Sequence, residues 1–204
     1  SFLLSMFLAT MKTFPVSIIC ALALLSTPGV RGEGDNPPTC PGSPAWKHAK
    51  CVMTVKFPGA DCSTVQSEIS QRLNDKSWID PHNQGTYKQN NIDIDASSGS
   101  VSVVEGERLT GDGKYTDKFM FTFVDGDGGA DGGASSCEVS ACSESQCFSV
   151  LDFSTNFCNL RNLYCNTKDG CPVIEHDLEY EETYVNCSQN KKSDCIAQRI
   201  SSSQ

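Results

Sequence analysis

The sequence predicts an α+β fold: a single disulfide-stapled domain in which one main helix, about residues 62–75, packs on a curved, mostly antiparallel sheet. Three observations carry this expectation. Twelve cysteines in 204 residues exceed what a reducing compartment ordinarily holds. One early segment repeats its apolar residues at spacings of three and four. Most of the chain after it alternates apolar and polar residues between glycine-rich turns.

The helix comes from Cys62, Val65, Ile69 and Leu73, which share one face, while Glu68, Gln71 and Arg72 are expected to point elsewhere. Ser63 and Gln66 fit a capping box at its start, and Pro81 lies beyond its end. A strand from Lys50 to Phe57 precedes it and stops at Pro58-Gly59. Strands are expected at Asn91–Asp95, Val101–Thr110 and Tyr115–Val124, with turns at Ser98-Gly99 and Gly111–Gly113. Phe119, Phe121 and Phe123 recur at period two and are the best core candidates. Glu138–Ser143 and Phe148–Phe153 read as a further hairpin, and Leu178–Asn186 as a last strand. The segment 156–164 fits either helix or loop.

The start of the chain carries its own signal. From Met11, Lys12 is followed by an apolar run from Val16 to Leu25 and then by Ser26-Thr-Pro-Gly29. Charge, short apolar core and small-residue exit are the order of a secretory signal peptide. The run is about half the roughly 20 residues that a spanning helix needs. Residues 1–32 are therefore expected to be upstream sequence and signal, 33–48 a Pro/Gly-rich leader, 49–198 the domain and 199–204 a disordered tail. Loss of 1–32 removes Lys12 and Arg31 and no acid, so the net charge of −9 becomes −11. An acidic protein of this kind suits neither nucleic acid nor stable membrane insertion. An extracellular protein or a small ligand is the expected partner.

Cys20 leaves with the signal, and an odd number of cysteines remains. The expected bridged set is Cys40, Cys51, Cys62, Cys137, Cys142, Cys158, Cys165, Cys171, Cys187 and Cys195, with Cys147 as the odd one. Local closure favours Cys165 with Cys171 and Cys187 with Cys195, although each could bond elsewhere. Zinc is disfavoured, because no close C-x2-C pair occurs and His48, His82 and His176 are scattered.

The segment Trp78–Tyr87 concentrates an acid, an imidazole, an amide and two aromatic rings. As a site it would bind a ligand through Trp78, His82, Asn83 and Tyr87, or move a proton with His82 beside Asp80 or Glu144. As plain architecture, Asp80-Pro81 stops the helix and Asn83–Gly85 turns the chain into the sheet. Asp125, Asp127 and Asp131 supply oxygens at calcium-like spacing, but Ser136 stands where a calcium loop has its glutamate. Asn186-Cys-Ser188 fits an N-glycan acceptor.

Three functions remain open at this level. The first is a secreted, disulfide-stabilised binding or interaction protein. The second is a small secreted hydrolase using His82 with a nearby carboxylate, and the third is a calcium-dependent extracellular structural protein.

Overall fold

The computed structural model describes residues 40–94, 101–126 and 135–196. The expected signal peptide, residues 33–39 of the leader, Asp127, Asp131 and the tail at 199–204 lie outside them. The elements are β1 (Lys50–Pro58), α1 (Cys62–Asn74), β2 (Thr86–Ile94), β3 (Val101–Leu109), β4 (Thr116–Gly126), β5 (Ser136–Ser145), α2 (Thr155–Arg161), β6 (Glu181–Cys187) and α3 (Lys192–Ile196), with a short 3-10 turn at Thr167–Asp169. The strands form one antiparallel sheet in the order β2-β3-β4-β5-β1-β6.

The period-two pattern sets the core. Cys51, Met53, Val55 and Phe57 of β1, Phe119, Phe121 and Phe123 of β4, and Cys137, Val139 and Ala141 of β5 are buried together. The three phenylalanines pack ring against ring along β4. α1 lays Cys62, Val65, Ile69 and Leu73 on this face, across β2, β4 and β5. α2 packs beside it on β1, β4 and β5.

Several expectations are corrected. The cap of α1 is Asp61, whose Oδ1 accepts from the Thr64 amide at 2.7 Å, and not Ser63, whose hydroxyl donates to the same carboxylate. Glu68 and Arg72 do point away from the apolar stripe, as expected, and residues 162–176 bury them on that second side of the helix. Phe148–Phe153 is not a strand. β5 already has β4 on one edge and β1 on the other, so no edge remains for it. β2 begins earlier, at Thr86, and the last strand starts later, at Glu181. The ambiguous segment 156–164 is mostly the buried helix α2.

Five disulfides join Cys40–Cys142, Cys51–Cys187, Cys62–Cys137, Cys158–Cys195 and Cys165–Cys171. The local closure of Cys187 with Cys195 is not made. The β1–β6 register sets Cys51 directly opposite Cys187, while Cys195 comes from α3 to reach α2. Cys147 is buried and lies outside the five bridges. Bridges of this number persist in oxidising compartments. Among the described residues no helix is long and apolar enough to cross a membrane.

Candidate functional site

One end of the sheet gathers the ends of β3 and β5, the start of β4, the segment before β2 and the start of α2. A cleft of about 740 Å³ opens there, with Asp117, Ser145, Asp152 and Thr155 among its polar lining and Tyr115, Phe148, Val150, Leu151 and Phe153 among its apolar lining. Register places the floor: Asp117 of β4 pairs with Ser145 of β5.

The loop from Gln146 to Ser154 forms one wall. Its backbone is fixed at both ends. The Ser149 amide donates to the Lys47 carbonyl at 3.3 Å, and the Phe153 amide donates to Gln189 Oε1 at 2.6 Å. Asp152 starts α2 by accepting from the Thr155 amide through its carbonyl at 2.8 Å and from the Asn156 amide through Oδ2 at 3.2 Å. Yet Phe148, Val150, Leu151 and Phe153 remain 53%, 52%, 67% and 71% exposed. A lone exposed apolar residue is ordinary, but four within six residues on a tethered loop form a patch. Trp46 extends it, with its ring 5.6 Å from that of Phe148.

The backbone is strained on both sides of this cleft. The non-glycine residues with positive φ among the described residues are Asn83 (50°), Gln84 (56°), Phe153 (50°) and Ser154 (63°). Asn83 and Phe153 line the cleft, and the other two adjoin them in sequence. Each such residue costs about 1–3 kcal/mol and persists only where its surroundings impose it.

His82 lines the cleft but is buried. Its Nδ1 lies 2.9 Å from the Asp194 carbonyl, which can only accept, so Nδ1 carries the hydrogen. Nε2 then accepts from the Thr155 hydroxyl at 3.2 Å. Burial dominates its titration and lowers its pKa, so the ring is neutral at pH 7. Asp117 is buried too. Burial pushes its carboxyl up against the bonds it accepts from Ser145 and Asn159, and the charge of Asp152 pushes the same way.

The residues singled out from sequence are only partly brought together. Asp80 does not meet the His82 ring. Its carboxylate accepts from the His82 amide, from Arg108 and from Asn162. Glu144 lies elsewhere, accepting from the Gly42 amide and paired with His48 at 2.9 Å. Trp78 and Tyr87 pack together at 5.8 Å, with the indole donating to the Pro172 carbonyl and the phenol to the Asn159 carbonyl. Trp78 borders a second hollow, so it does not share a space with His82 and Asn83. Asp125 accepts from the Cys62 amide at the start of α1. Among the described residues no group of three or more His, Cys, Asp or Glu side chains is placed to hold a metal ion. Asn186 is exposed on the edge strand β6, but Cys187 is bridged and the Ser188 hydroxyl bonds to the Lys50 backbone.

Asp117, Ser145, Asp152, Thr155 and the apolar loop were not foreseen as site residues. The one legible signal was the run Phe148-Ser-Val-Leu-Asp-Phe153, which has the composition of a strand but follows β5, both of whose edges are taken by β4 and β1. No family model, curated protein or solved structure matches this chain. Fold and site together describe a disulfide-stapled α+β domain with an apolar-lipped, acid-floored cleft at one end of its sheet.

Proposed function

We propose that the protein is an exported binding protein that takes a small amphiphilic ligand in the cleft beside the loop 146–154. The observation that carries the reading is that loop. Its backbone is tied at both ends while four apolar side chains stand outward over a cavity of ligand size. Leaving those side chains in water forgoes about 25 cal/mol for each Å² of apolar surface, which a bound apolar body recovers. The surroundings that impose positive φ on residues of both sides fix the walls before any ligand arrives, which lowers the ordering cost of binding. Five disulfides and the signal-like apolar run at 16–25 support export.

The test is a fluorescence titration with Nile red, a neutral apolar dye. Saturable binding is expected for the parent chain, and the Leu151→Asp/Phe153→Asp variant should lose it. Both positions are exposed, so its Tm should stay within about 2–4 °C of the parent. Equal binding by parent and variant would overturn the reading.

A hydrolase is the second reading, and one observation favours it: the Thr155 hydroxyl donates to the neutral His82 ring at the cleft. An acyl-transfer site also needs amides aimed at a developing oxyanion. The amides of Thr155 and Asn156, at the start of α2, are already held by Asp152. No turnover of p-nitrophenyl acetate beyond that of a Thr155→Val variant is therefore expected. Turnover that this substitution abolishes would favour the hydrolase.

A further inference from the structure

We infer that the ligand of this cleft is an organic cation, an ammonium group carried on an aromatic or aliphatic body. The inference rests on the binding reading above and supplies its ligand class.

The charged side chains lining the cleft are Asp112, Asp117 and Asp152, and no lysine or arginine lines it. Asp112 at the outer turn has a cation of its own, Lys114 at 2.9 Å. The inner two do not. Asp117 accepts from Asn159 at 2.8 Å and is bonded to Ser145. Asp152 spends Oδ2 on Asn156, through the backbone amide and Nδ2. Its Oδ1 is buried without any hydrogen-bond partner, in a residue only 7% exposed. A buried, half-satisfied carboxylate is costly, and it is more so beside a second carboxylate. Asp152 acts on Asp117 in the direction of like-charge repulsion. Arg108 also acts on Asp117 and offsets part of that repulsion; its Nε and Nη2 are committed to Asp80, His82 and Asn83, while Nη1 has no hydrogen-bond partner. A cation entering the cleft would relieve the like-charge repulsion between these two carboxylates.

The rest of the lining selects the kind of cation. A bare calcium or magnesium ion needs about six or more oxygens, and among the described residues no group of three or more His, Cys, Asp or Glu is placed to hold a metal. Such an ion would also leave Tyr115, Phe148, Val150, Leu151 and Phe153 uncovered. An ammonium on a hydrophobic body uses both halves. Its body covers the apolar lip, and its charge can sit against aromatic faces as well as the carboxylates. An anion would meet three carboxylates and a neutral imidazole.

The experiment is isothermal titration of the full chain at pH 7 with three probes that share one body: 2-phenylethylamine, 2-phenylethanol and phenylacetate. The amine should bind about tenfold or more tighter than the alcohol, with phenylacetate weakest. Asp152→Asn keeps a capping acceptor for α2 but loses the charge. It should remove most of the amine's advantage over the alcohol. The wild-type ranking stands as a test by itself if that variant fails to fold. Alcohol or carboxylate binding as tightly as the amine would overturn the cation assignment and leave the cleft reading intact. So would silence from all three probes while Nile red still binds. Failure of the three probes and of Nile red together would overturn both.

Discussion

Replacing Arg108 by methionine should cost about 3–5 kcal/mol of folding stability, a large share of the roughly 5–15 kcal/mol that holds a typical domain. Arg108 is fully buried on β3 and sits over the Tyr87 ring at 5.6 Å. Its Nε donates to Asp80 at 2.8 Å, and its Nη2 donates to Asp80, to the His82 carbonyl and to Asn83 Oδ1. Methionine fills much of the volume but leaves the Asp80 carboxylate buried without a cation. Asn162 and the His82 amide still donate to that carboxylate, but they are neutral. The chain makes room for the guanidinium, since a Cβ on Gly85 would lie 2.2 Å from Arg108 Cζ. Urea denaturation of parent and variant measures the loss, and Asp80→Asn combined with Arg108→Met should recover part of it. A loss under about 1 kcal/mol would mean that the pair contributes little beyond its volume. The same guanidinium fixes the His82 carbonyl and the Asn83 side chain, so the variant should also disturb one wall of the cleft.

Glu68→Ala should be of similar size, about 3–5 kcal/mol. The Glu68 carboxylate accepts from the amides of Ile174, Glu175 and His176 at 3.0, 2.7 and 2.7 Å, and from Arg72 Nε at 2.6 Å. Arg72 in turn donates to the carbonyls of Asn162 and Cys165. Truncation strands three amides and a buried guanidinium at once. Burial alone would raise the Glu68 pKa, but the amides and Arg72 outweigh it and hold the carboxyl below its usual range. A carboxylate with a lowered folded pKa stabilises fully above its unfolded value, about 4.3, and loses that contribution as pH falls through the folded value. His82 acts in a higher window. Its lowered pKa means that the unfolded chain takes up the proton first, so stability falls once pH drops below about 6.5. Melting temperatures followed from pH 8 to pH 2 should therefore decline in two stages. Asp61, Asp75, Asp112 and Asp177, also lowered, fall in the same lower stage, so Glu68→Gln should make that stage shallower without abolishing it and spare the upper. A lower stage of unchanged slope in Glu68→Gln would remove Glu68 as a contributor to it.

These contacts show what a sequence reveals of such a chain. Period-two alternation located β1, β3 and β4, and the burial of Phe119, Phe121 and Phe123, because a strand's inward face is written in every second residue. The apolar stripe of α1 was legible for the same reason. The burial of Glu68 and Arg72 was not legible, because their cover comes from residues about a hundred positions away, which no local spacing reports. Phe148–Phe153 imitates a strand in composition, and only the sheet order shows that β5 has no edge to offer it. The cleft was illegible from its titratable groups. The ring of His82 meets Thr155 and Asp194, 73 and 112 positions away, and not the carboxylate two residues before it. Glu144 finds His48 across 96 positions.

The bridges are unevenly spread. Cys62 and Cys137 are joined across 75 positions, and the stretch between them, which holds β2, β3 and β4, has no other cysteine. One peptide-bond cut anywhere in that stretch would therefore leave a two-chain molecule with every piece still covalently attached, indistinguishable in mass from the intact chain except for the added water until a reductant is present. A protease would have to cut twice before it could carry any of the three strands away.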